Sequence, residues 1–202
     1  MRITKLSQTS PERFCVVFED GTEVKTTLAV VTDMFLHSDL VLDGDQYERL
    51  LSASALSLCK ARALRAVNAR PLSRRELVTK LTEKGETPEN AEYCADWLCE
   101  MGLINDRLYA ETVVRHYSSK GYGAIRVRQE LNRHGVPREL WDDALLQMPG
   151  QDDHIMRFLS SRLSDPTDRA QVKKVTDALL RRGYSWDEIK HALHTYNSQE
   201  EY

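Results

Sequence analysis

The side chains that most often carry out catalysis or bind metals occur in this chain of 202 residues, but none of them stands in a catalytic pattern. His191 and His194 are three residues apart, which would place two imidazoles on one face of a helix. A metal site needs further ligands at suitable spacing, and the sequence offers none. The acidic pair Asp142-Asp143 falls at the start of a predicted helix, where the helix dipole favours negative charge. We therefore expect a protein that is not an enzyme, with no catalytic residue, no metal and no cofactor.

Basic side chains are more informative, because clusters of Lys and Arg bind phosphates or acidic protein surfaces. The formal net charge of the chain is -3, yet residues 57–140 carry fifteen Lys and Arg against eleven Asp and Glu. Arg126 and Arg133 are seven residues apart, as are Lys174 and Arg181, so each pair would lie on one face of a helix. This pattern indicates a binding surface, with a merely solvated helix face as the alternative.

The cysteines and the N-terminus indicate a cytoplasmic protein. The four cysteines form no CxxC pair, so we expect buried, reduced thiols. The first residues lack the apolar segment of a signal peptide, and no run of residues is long and apolar enough to span a membrane.

The N-terminal residues 1–42 predict a small β element. Two β-rich stretches flank Asp20-Gly21, a two-residue sequence that favours a hairpin. We expect two or three antiparallel strands that pack on the helices behind them, because so small a sheet is only marginally stable alone.

The rest of the chain is mainly α and contains a repeated unit, which is visible when Gly85, Gly135 and Gly183 are aligned. Apolar residues stand eight and four positions before each glycine and six, nine and ten positions after it. This is the pattern of two amphipathic helices around a glycine C-cap. Ser73 and Glu76 have the spacing of a capping box, and a third helix precedes each pair. The predicted domains are an N-terminal β extension at 1–42 and helix-turn-helix-like three-helix modules at 43–105, 106–149 and 150–202.

An ordered set of short motifs in this chain resembles the RecX family. The set covers about residues 58–147 and includes Arg70-Pro71-Leu72-Ser73-Arg74-Arg75-Glu76-Leu77, Gly102-Leu103-Ile104-Asn105-Asp106 and Lys120-Gly121-Tyr122-Gly123. Asn105 stands where the family often has an acidic residue, but asparagine is also a competent helix cap. The third module resembles the family's more variable C-terminal module, and the N-terminal sheet resembles an extension that only part of the family carries.

The resemblance implies a partner and a function. RecX proteins are tandem three-helix modules that regulate the RecA recombinase in DNA repair, homologous recombination and the SOS response. They associate with the RecA–single-stranded DNA filament and modulate its ATPase, strand-exchange and coprotease activities. We expect this chain to bind that filament as a monomeric inhibitor, away from membranes, with direct contact to single-stranded DNA left open. The candidate contacts to RecA or DNA are Arg70, Arg74, Arg75, Lys80, Arg126, Arg128, Arg133, Lys174 and Arg181.

Two other functions remain open on the sequence alone. A stand-alone DNA-binding regulator would place one unit in the major groove as a helix-turn-helix, although the slightly acidic chain argues against strong autonomous affinity for DNA. A helical-repeat scaffold for a different protein would need the same fold.

Overall fold

The computed structural model describes residues 1–150 and 152–200 of the chain. It contains two compact units, Met1–Ile104 and Asn105–Tyr202. Helices dominate both units, and an antiparallel sheet lies at the N-terminus. The predicted fold class, tandem three-helix repeats with a small N-terminal β element, is confirmed. The boundaries between individual modules stay a prediction. Within the described residues, no helix has the length and the apolar run that crossing a bilayer requires.

The N-terminal sheet has three antiparallel strands in the order β1-β2-β3. The strands are Ile3–Ser10, Arg13–Phe18 and Glu23–Thr27. β2 pairs with β3 across the hairpin predicted at Asp20-Gly21, so that prediction is confirmed. Gly21 adopts a φ of +85°, which glycine reaches without steric strain.

The sheet packs against a long helix. After the short helix α1 (Leu28–Asp33), α2 extends over Gly44–Ala69. Asp43 begins α2 with a capping box: its carboxylate accepts the Gln46 N–H at 2.8 Å, and the Gln46 side chain accepts the Asp43 N–H at 3.0 Å. Sheet and helix share one apolar core, which includes Ile3, Val16, Phe18 and Leu50.

The C-terminal half of α2 forms a three-helix group with α3 (Arg74–Thr82) and α4 (Pro88–Glu100). Ser73 and Glu76 form the predicted capping box at the start of α3. Pro88 is the first residue of α4, a position where proline loses no helical hydrogen bond. The core of this group includes Cys59, Ala63, Leu77, Leu81, Cys94 and Leu98.

The second unit contains two further helix groups, each with its own apolar core. The first consists of α5 (Asp106–Ser119), α6 (Ala124–Arg133), a short 3-10 helix (Arg138–Leu140) and α7 (Trp141–Leu145). The second consists of α8 (Asp152–Arg162), α9 (Arg169–Arg181) and α10 (Trp186–Glu200). With five residues, α7 is much shorter than its counterparts α4 and α10.

The three aligned glycines end the middle helix of each group in the same way. Gly85, Gly135 and Gly183 have φ values of +86°, +67° and +87°. In each turn, the N–H of the residue after the glycine donates to the carbonyl of a buried leucine five positions earlier, as in a Schellman motif. The acceptors are Leu81, Leu131 and Leu179, at 3.1, 3.0 and 3.3 Å. The predicted glycine C-caps are therefore confirmed.

Candidate functional site

In the first unit, two of the predicted basic residues pair with carboxylates of the same unit. Arg74 lies 2.5 Å from Glu92 and 2.7 Å from Asp96, both on α4. The hydrogen bond to Asp96 raises the pKa of the Arg74 guanidinium. Arg70 lies 3.4 Å from Glu76. One cation of α3, Arg74, therefore pairs with two acidic side chains of α4.

Arg75 and Lys80 have a different environment from these pairs. Arg75 is exposed and Lys80 is half-buried. Neither forms an ion pair with a carboxylate in the part of the chain that the structure describes. They are therefore the predicted cations of the first unit whose charge is not neutralised within that unit.

In the second unit, two of the three cations of α6 contact one buried carboxylate. The Glu130 side chain is 3% exposed, and its carboxylate lies 2.7 Å from Arg126 and 3.5 Å from Arg133. Arg128 lies 3.0 Å from Asp142 of α7. The prediction that Arg126 and Arg133 share a face is confirmed, since both contact Glu130. Because a buried carboxylate is costly without a nearby cation, Arg126 and Arg133 first of all stabilise this helix group.

The last two predicted cations line a cleft of the third helix group. Lys174 and Arg181 on α9 border a cleft of about 350 Å³, so the prediction that they share a face is confirmed. Arg162 of α8 joins them. Its guanidinium carbon lies 5.5 Å from the centre of the Phe158 ring, within the range of a cation–π contact. Three cations therefore border one cleft beside an aromatic ring.

A second cleft, of about 240 Å³, opens beside the turn at Gly121. Arg182 reaches into it, with its Nη1 atom 3.5 Å from the Gly121 carbonyl oxygen and its guanidinium carbon 4.9 Å from the centre of the Phe158 ring. Phe158 lines both clefts, so they adjoin. The other basic groups of this cleft are Lys120, His154 and Arg157.

We call the Lys and Arg side chains of the two clefts the basic surface. They are Lys120, Arg157, Arg162, Lys174, Arg181 and Arg182. None of them forms an ion pair with a carboxylate that the structure describes, and the residues that line the two clefts include no Asp or Glu. Such a concentration of unneutralised cations favours anions, above all phosphates, which accept several charge-assisted hydrogen bonds at once.

Backbone hydrogen bonds between the two helix groups hold the basic surface together. The Gly123 N–H donates to the Arg182 carbonyl at 2.9 Å, and the Ile125 N–H donates to the Gly183 carbonyl at 3.1 Å. The C-terminal turn of α9 therefore caps the N-terminus of α6, which has no side-chain cap of its own. The Tyr184 hydroxyl adds a bond to the Gly121 carbonyl at 3.1 Å. We call this set of bonds the glycine joint.

The sequence predicted only two members of the basic surface, and the other four were missed. Arg157 and Arg162 are five residues apart on α8, a spacing that predicts no common face. Arg182 directly follows α9, where a cation is also favoured by the helix dipole, so its position in the sequence does not by itself indicate a binding role. Lys120 joins the site because the glycine joint brings its loop to the end of that helix. The one signal in the sequence was the excess of cations in α9, which carries four Lys and Arg against Asp177 alone.

The potential metal ligands and the tryptophans lie apart from the basic surface. In the described parts of the chain, no three His, Cys, Asp or Glu side chains are grouped as metal ligands. Trp141 packs against the core of its group and donates its Nε1–H to the Val136 carbonyl at 2.9 Å. Trp186, by contrast, is 58% exposed.

The four cysteines are reduced, as predicted, but differ in burial. Cys59 and Cys94 are fully buried, and burial raises the pKa of both thiols, which makes them unreactive. Cys15 and Cys99 are only half-buried, so the prediction of burial is wrong for these two.

Comparison with known proteins identifies relatives of the second unit and of most of the chain. The family model described as RecX, second three-helix domain, matches residues 105–145, and that described as RecX, third three-helix domain, matches residues 159–193. Regulatory protein RecX of Stenotrophomonas maltophilia (strain R551-3) is 38% identical over 134 residues, or 65% of this chain and 82% of that protein. Regulatory protein RecX of Chromohalobacter salexigens is 32% identical over 136 residues, or 65% and 88%.

Two solved structures share the fold. One, a crystal structure of regulatory protein RecX, superposes with a TM-score of 0.71 at 23% identity and covers 94% of this chain and 97% of that one. The other, RecX from Lactobacillus salivarius, superposes with a TM-score of 0.64 at 22% identity and covers 72% and 98%. At these identities the structures show a common fold.

Proposed function

The chain belongs to the RecX family of regulatory proteins, and from this premise we propose that it binds the RecA–single-stranded DNA filament and inhibits RecA. The affected activities are ATP hydrolysis, strand exchange and the coprotease activity that induces the SOS response. The protein acts in the cytoplasm by binding, without chemistry of its own. The regulatory role follows from the family, whereas the partner and the direction of regulation are our proposal.

The observation that carries this proposal is the basic surface of the second unit. Its six cations are not neutralised by described carboxylates and border two adjoining clefts. A nucleoprotein filament presents phosphates, and neutralising them releases counterions, which makes binding favourable and strongly dependent on salt. The contact to single-stranded DNA therefore uses Lys174 and Arg181 from the predicted set, together with their neighbours in the two clefts.

The other seven predicted contact residues fall into two groups, those without and those with an ion pair inside the molecule. Arg75 and Lys80 are available to acidic groups of RecA. Five others can bind a partner only if they first release the carboxylates that they already contact. The free energy lost with those ion pairs offsets much of the free energy gained on binding. These five are Arg70, Arg74, Arg126, Arg128 and Arg133.

The test reverses charge on the basic surface without changing the core. Both Lys174 and Arg181 are exposed, so the double variant Lys174→Glu, Arg181→Glu should fold. We expect its affinity for preformed RecA filaments to fall by about tenfold or more. The dependence of log affinity on log salt concentration should become less steep, by about 1 for each phosphate contact that is lost. Co-sedimentation and RecA ATPase on single-stranded DNA measure both effects.

The matched control is Arg107→Glu with Lys190→Glu, which changes the net charge equally at exposed positions outside both clefts. Equal loss in both double variants would mean that net charge, not this surface, governs binding. A wild-type chain that does not co-sediment with the filament would contradict the proposed function as a whole. Tight, sequence-dependent binding to duplex DNA without RecA would favour the stand-alone DNA-binding regulator.

A further inference from the structure

A separate groove lies in the first unit, between α2 and the end of the sheet. It has a volume of about 800 Å³. One wall is the face of α2 that carries Lys60, Ala61, Leu64 and Arg65, and the other wall includes Arg13 and Leu28. We call it the α2 groove.

The groove exists because α2 is much longer than the strands that pack on it. Twenty-six helical residues extend about 39 Å, whereas a five-residue strand such as β3 extends about 17 Å. The sheet covers the N-terminal half of α2, where Ser54 is buried and its hydroxyl donates to the Thr26 hydroxyl at 2.8 Å. Farther along α2, α3 and α4 cover the opposite face at Cys59 and Ala63. Within the first unit, which the structure describes in full, one face of α2 is left without a covering element.

This uncovered face is apolar in its middle. Leu64 and Ala61 are half-buried, and Leu28 on the opposite wall is 45% exposed. Two leucines that border one concave surface form the kind of apolar patch that protein interfaces use, whereas phosphates gain nothing from contact with them.

Three cations border this apolar patch, and none of them forms an ion pair with a described carboxylate. The Lys60 ammonium lies 4.9 Å from the centre of the Tyr93 ring and 5.1 Å from that of Trp97, which fixes it by cation–π contacts. The Arg65 Nε–H donates to the Ala61 carbonyl at 3.1 Å within its own helix. Arg13 is exposed at the start of β2. Glu12 is the acidic residue of the lining.

We propose that the α2 groove binds an acidic amphipathic segment of RecA, so that the first unit recognises protein and the second recognises phosphate. This rests on the proposed function, which names RecA as the partner. Apolar side chains of the segment contact Leu28 and Leu64, and its carboxylates meet Arg13, Lys60 and Arg65. The α2 wall from residue 57 to 68 is about 16 Å long, which fits three turns of helix or five residues of strand.

A photo-crosslinker in the groove tests the identity of the occupant. p-Benzoylphenylalanine replaces Leu64 in one variant and Leu28 in a second, and the full chain is mixed with preformed RecA filaments on single-stranded DNA. The control places the same group at Val41, which is 58% exposed but outside the groove. We expect cross-links from both groove positions, but not from Val41, to one RecA peptide that has more Asp and Glu than Lys and Arg. Cross-links to DNA, to a second copy of this chain or to a basic RecA peptide would overturn the proposal.

Charge reversal gives an independent measurement. The variant Arg13→Glu, Arg65→Glu should weaken binding to the filament by at least about tenfold, because like charges across an interface are strongly unfavourable. The control Arg2→Glu, Arg49→Glu makes the same charge change at exposed positions of the first unit outside the groove, and should bind like the wild type. If the wild type co-sediments but the groove variants bind equally well, the groove proposal is wrong and the proposed function stands. If the wild type does not co-sediment, the proposed function itself fails.

Discussion

Gly183 and Gly85 end their helices with the same turn, yet the carbonyl groups of the two turns have different partners. Their φ values are +87° and +86°, and both turns have the Schellman hydrogen bond to a buried leucine. At Gly183, the last carbonyls of the turn are satisfied by backbone: the carbonyls of Arg182 and Gly183 accept the N–H groups of Gly123 and Ile125.

At Gly85, a side chain of the same unit takes this role. Arg62 of α2 donates its Nη1–H to the Lys84 carbonyl at 3.2 Å and also pairs with the Glu86 carboxylate. A glycine with a leucine four positions before it thus specifies the turn but not what the turn contacts. The same local structure serves as a joint between helix groups in the second unit and is closed by an arginine in the first.

The largest expected effect on stability comes from adding one methyl group, by substitution with alanine, at each of the two glycines. A Cβ at Gly183 would lie 2.3 Å from the Arg126 backbone nitrogen, whereas a Cβ at Gly85 would have no neighbour within 4 Å. Both substitutions by alanine carry the strain of a left-handed conformation, about 1–2 kcal/mol. Gly183→Ala adds a clash with backbone, and we expect a total loss of about 4 kcal/mol or more in the free energy of unfolding. Urea unfolding of both variants measures the difference, and equal losses would show that the joint tolerates a side chain.

A second variant tests the joint from its other side, without backbone strain at the mutated residue. Gly123 has a φ of -77°, which every residue adopts, but its Cβ would lie 2.3 Å from the Gly183 carbonyl oxygen. We expect Gly123→Ala to destabilise the second unit by about 3 kcal/mol, because the turn must move and its two backbone hydrogen bonds weaken. Gly44→Ala, at the start of α2 with open space around it, is the control. A stability like that of the wild type would mean that the close contact at Gly123 is easily relieved.

The turns could be predicted from the sequence because their causes are local. Glycine after a helix, a leucine four positions earlier and a capping box such as Ser73 with Glu76 all act within a few residues of each other. The joint between Gly123 and Arg182 could not be predicted. It consists of backbone groups far apart in the sequence, and no side-chain pattern specifies it.

The candidate site likewise has a part that could be predicted from local spacing and a part that could not. The helical spacing of Lys174 and Arg181 predicted their shared face, because that depends on one helix alone. The membership of Lys120 and Arg182 in the same surface depends on the joint. The sequence also could not distinguish Arg74, which pairs with α4, from Arg75, which does not, since both are cations at the start of one helix.

A smaller effect concerns the arginine that closes the Gly85 turn. In Arg62→Ala, the Lys84 carbonyl loses a donor and the Glu86 carboxylate, 10% exposed, loses its cation. We expect a loss of about 1–2 kcal/mol in the free energy of unfolding, less than for a buried pair because the Arg62 side chain is 40% exposed. The double variant Arg62→Ala, Glu86→Ala should recover part of this loss, since no carboxylate is then left unpaired. Thermal unfolding of the two variants gives the comparison. If the double variant is no more stable than Arg62→Ala, Arg62 stabilises the turn only through its hydrogen bond to the Lys84 carbonyl.

The smallest effect at neutral pH removes one hydroxyl from the glycine joint. Tyr184→Phe deletes the hydrogen bond to the Gly121 carbonyl, which should cost about 1 kcal/mol. The variant also changes how stability depends on pH under alkaline conditions, because burial raises the pKa of the Tyr184 phenol above its ordinary value. The phenol of the unfolded chain loses its proton at about pH 10, whereas that of the folded chain keeps its proton to a higher pH. The stabilisation from the protonated Tyr184 phenol is therefore fully present below about pH 10 and is lost as the pH rises toward the folded-state pKa.

The free energy of unfolding should therefore fall less steeply above about pH 10 in Tyr184→Phe than in the wild type. Tyr117→Phe serves as the comparison, since burial also raises the pKa of Tyr117 but that residue lies outside the joint. Urea unfolding at pH 8 and at pH 10.5 gives the slopes. Parallel curves for Tyr184→Phe and the wild type would show that the phenol ionises as easily in the folded chain as in the unfolded one, and that the joint is open to water at this position.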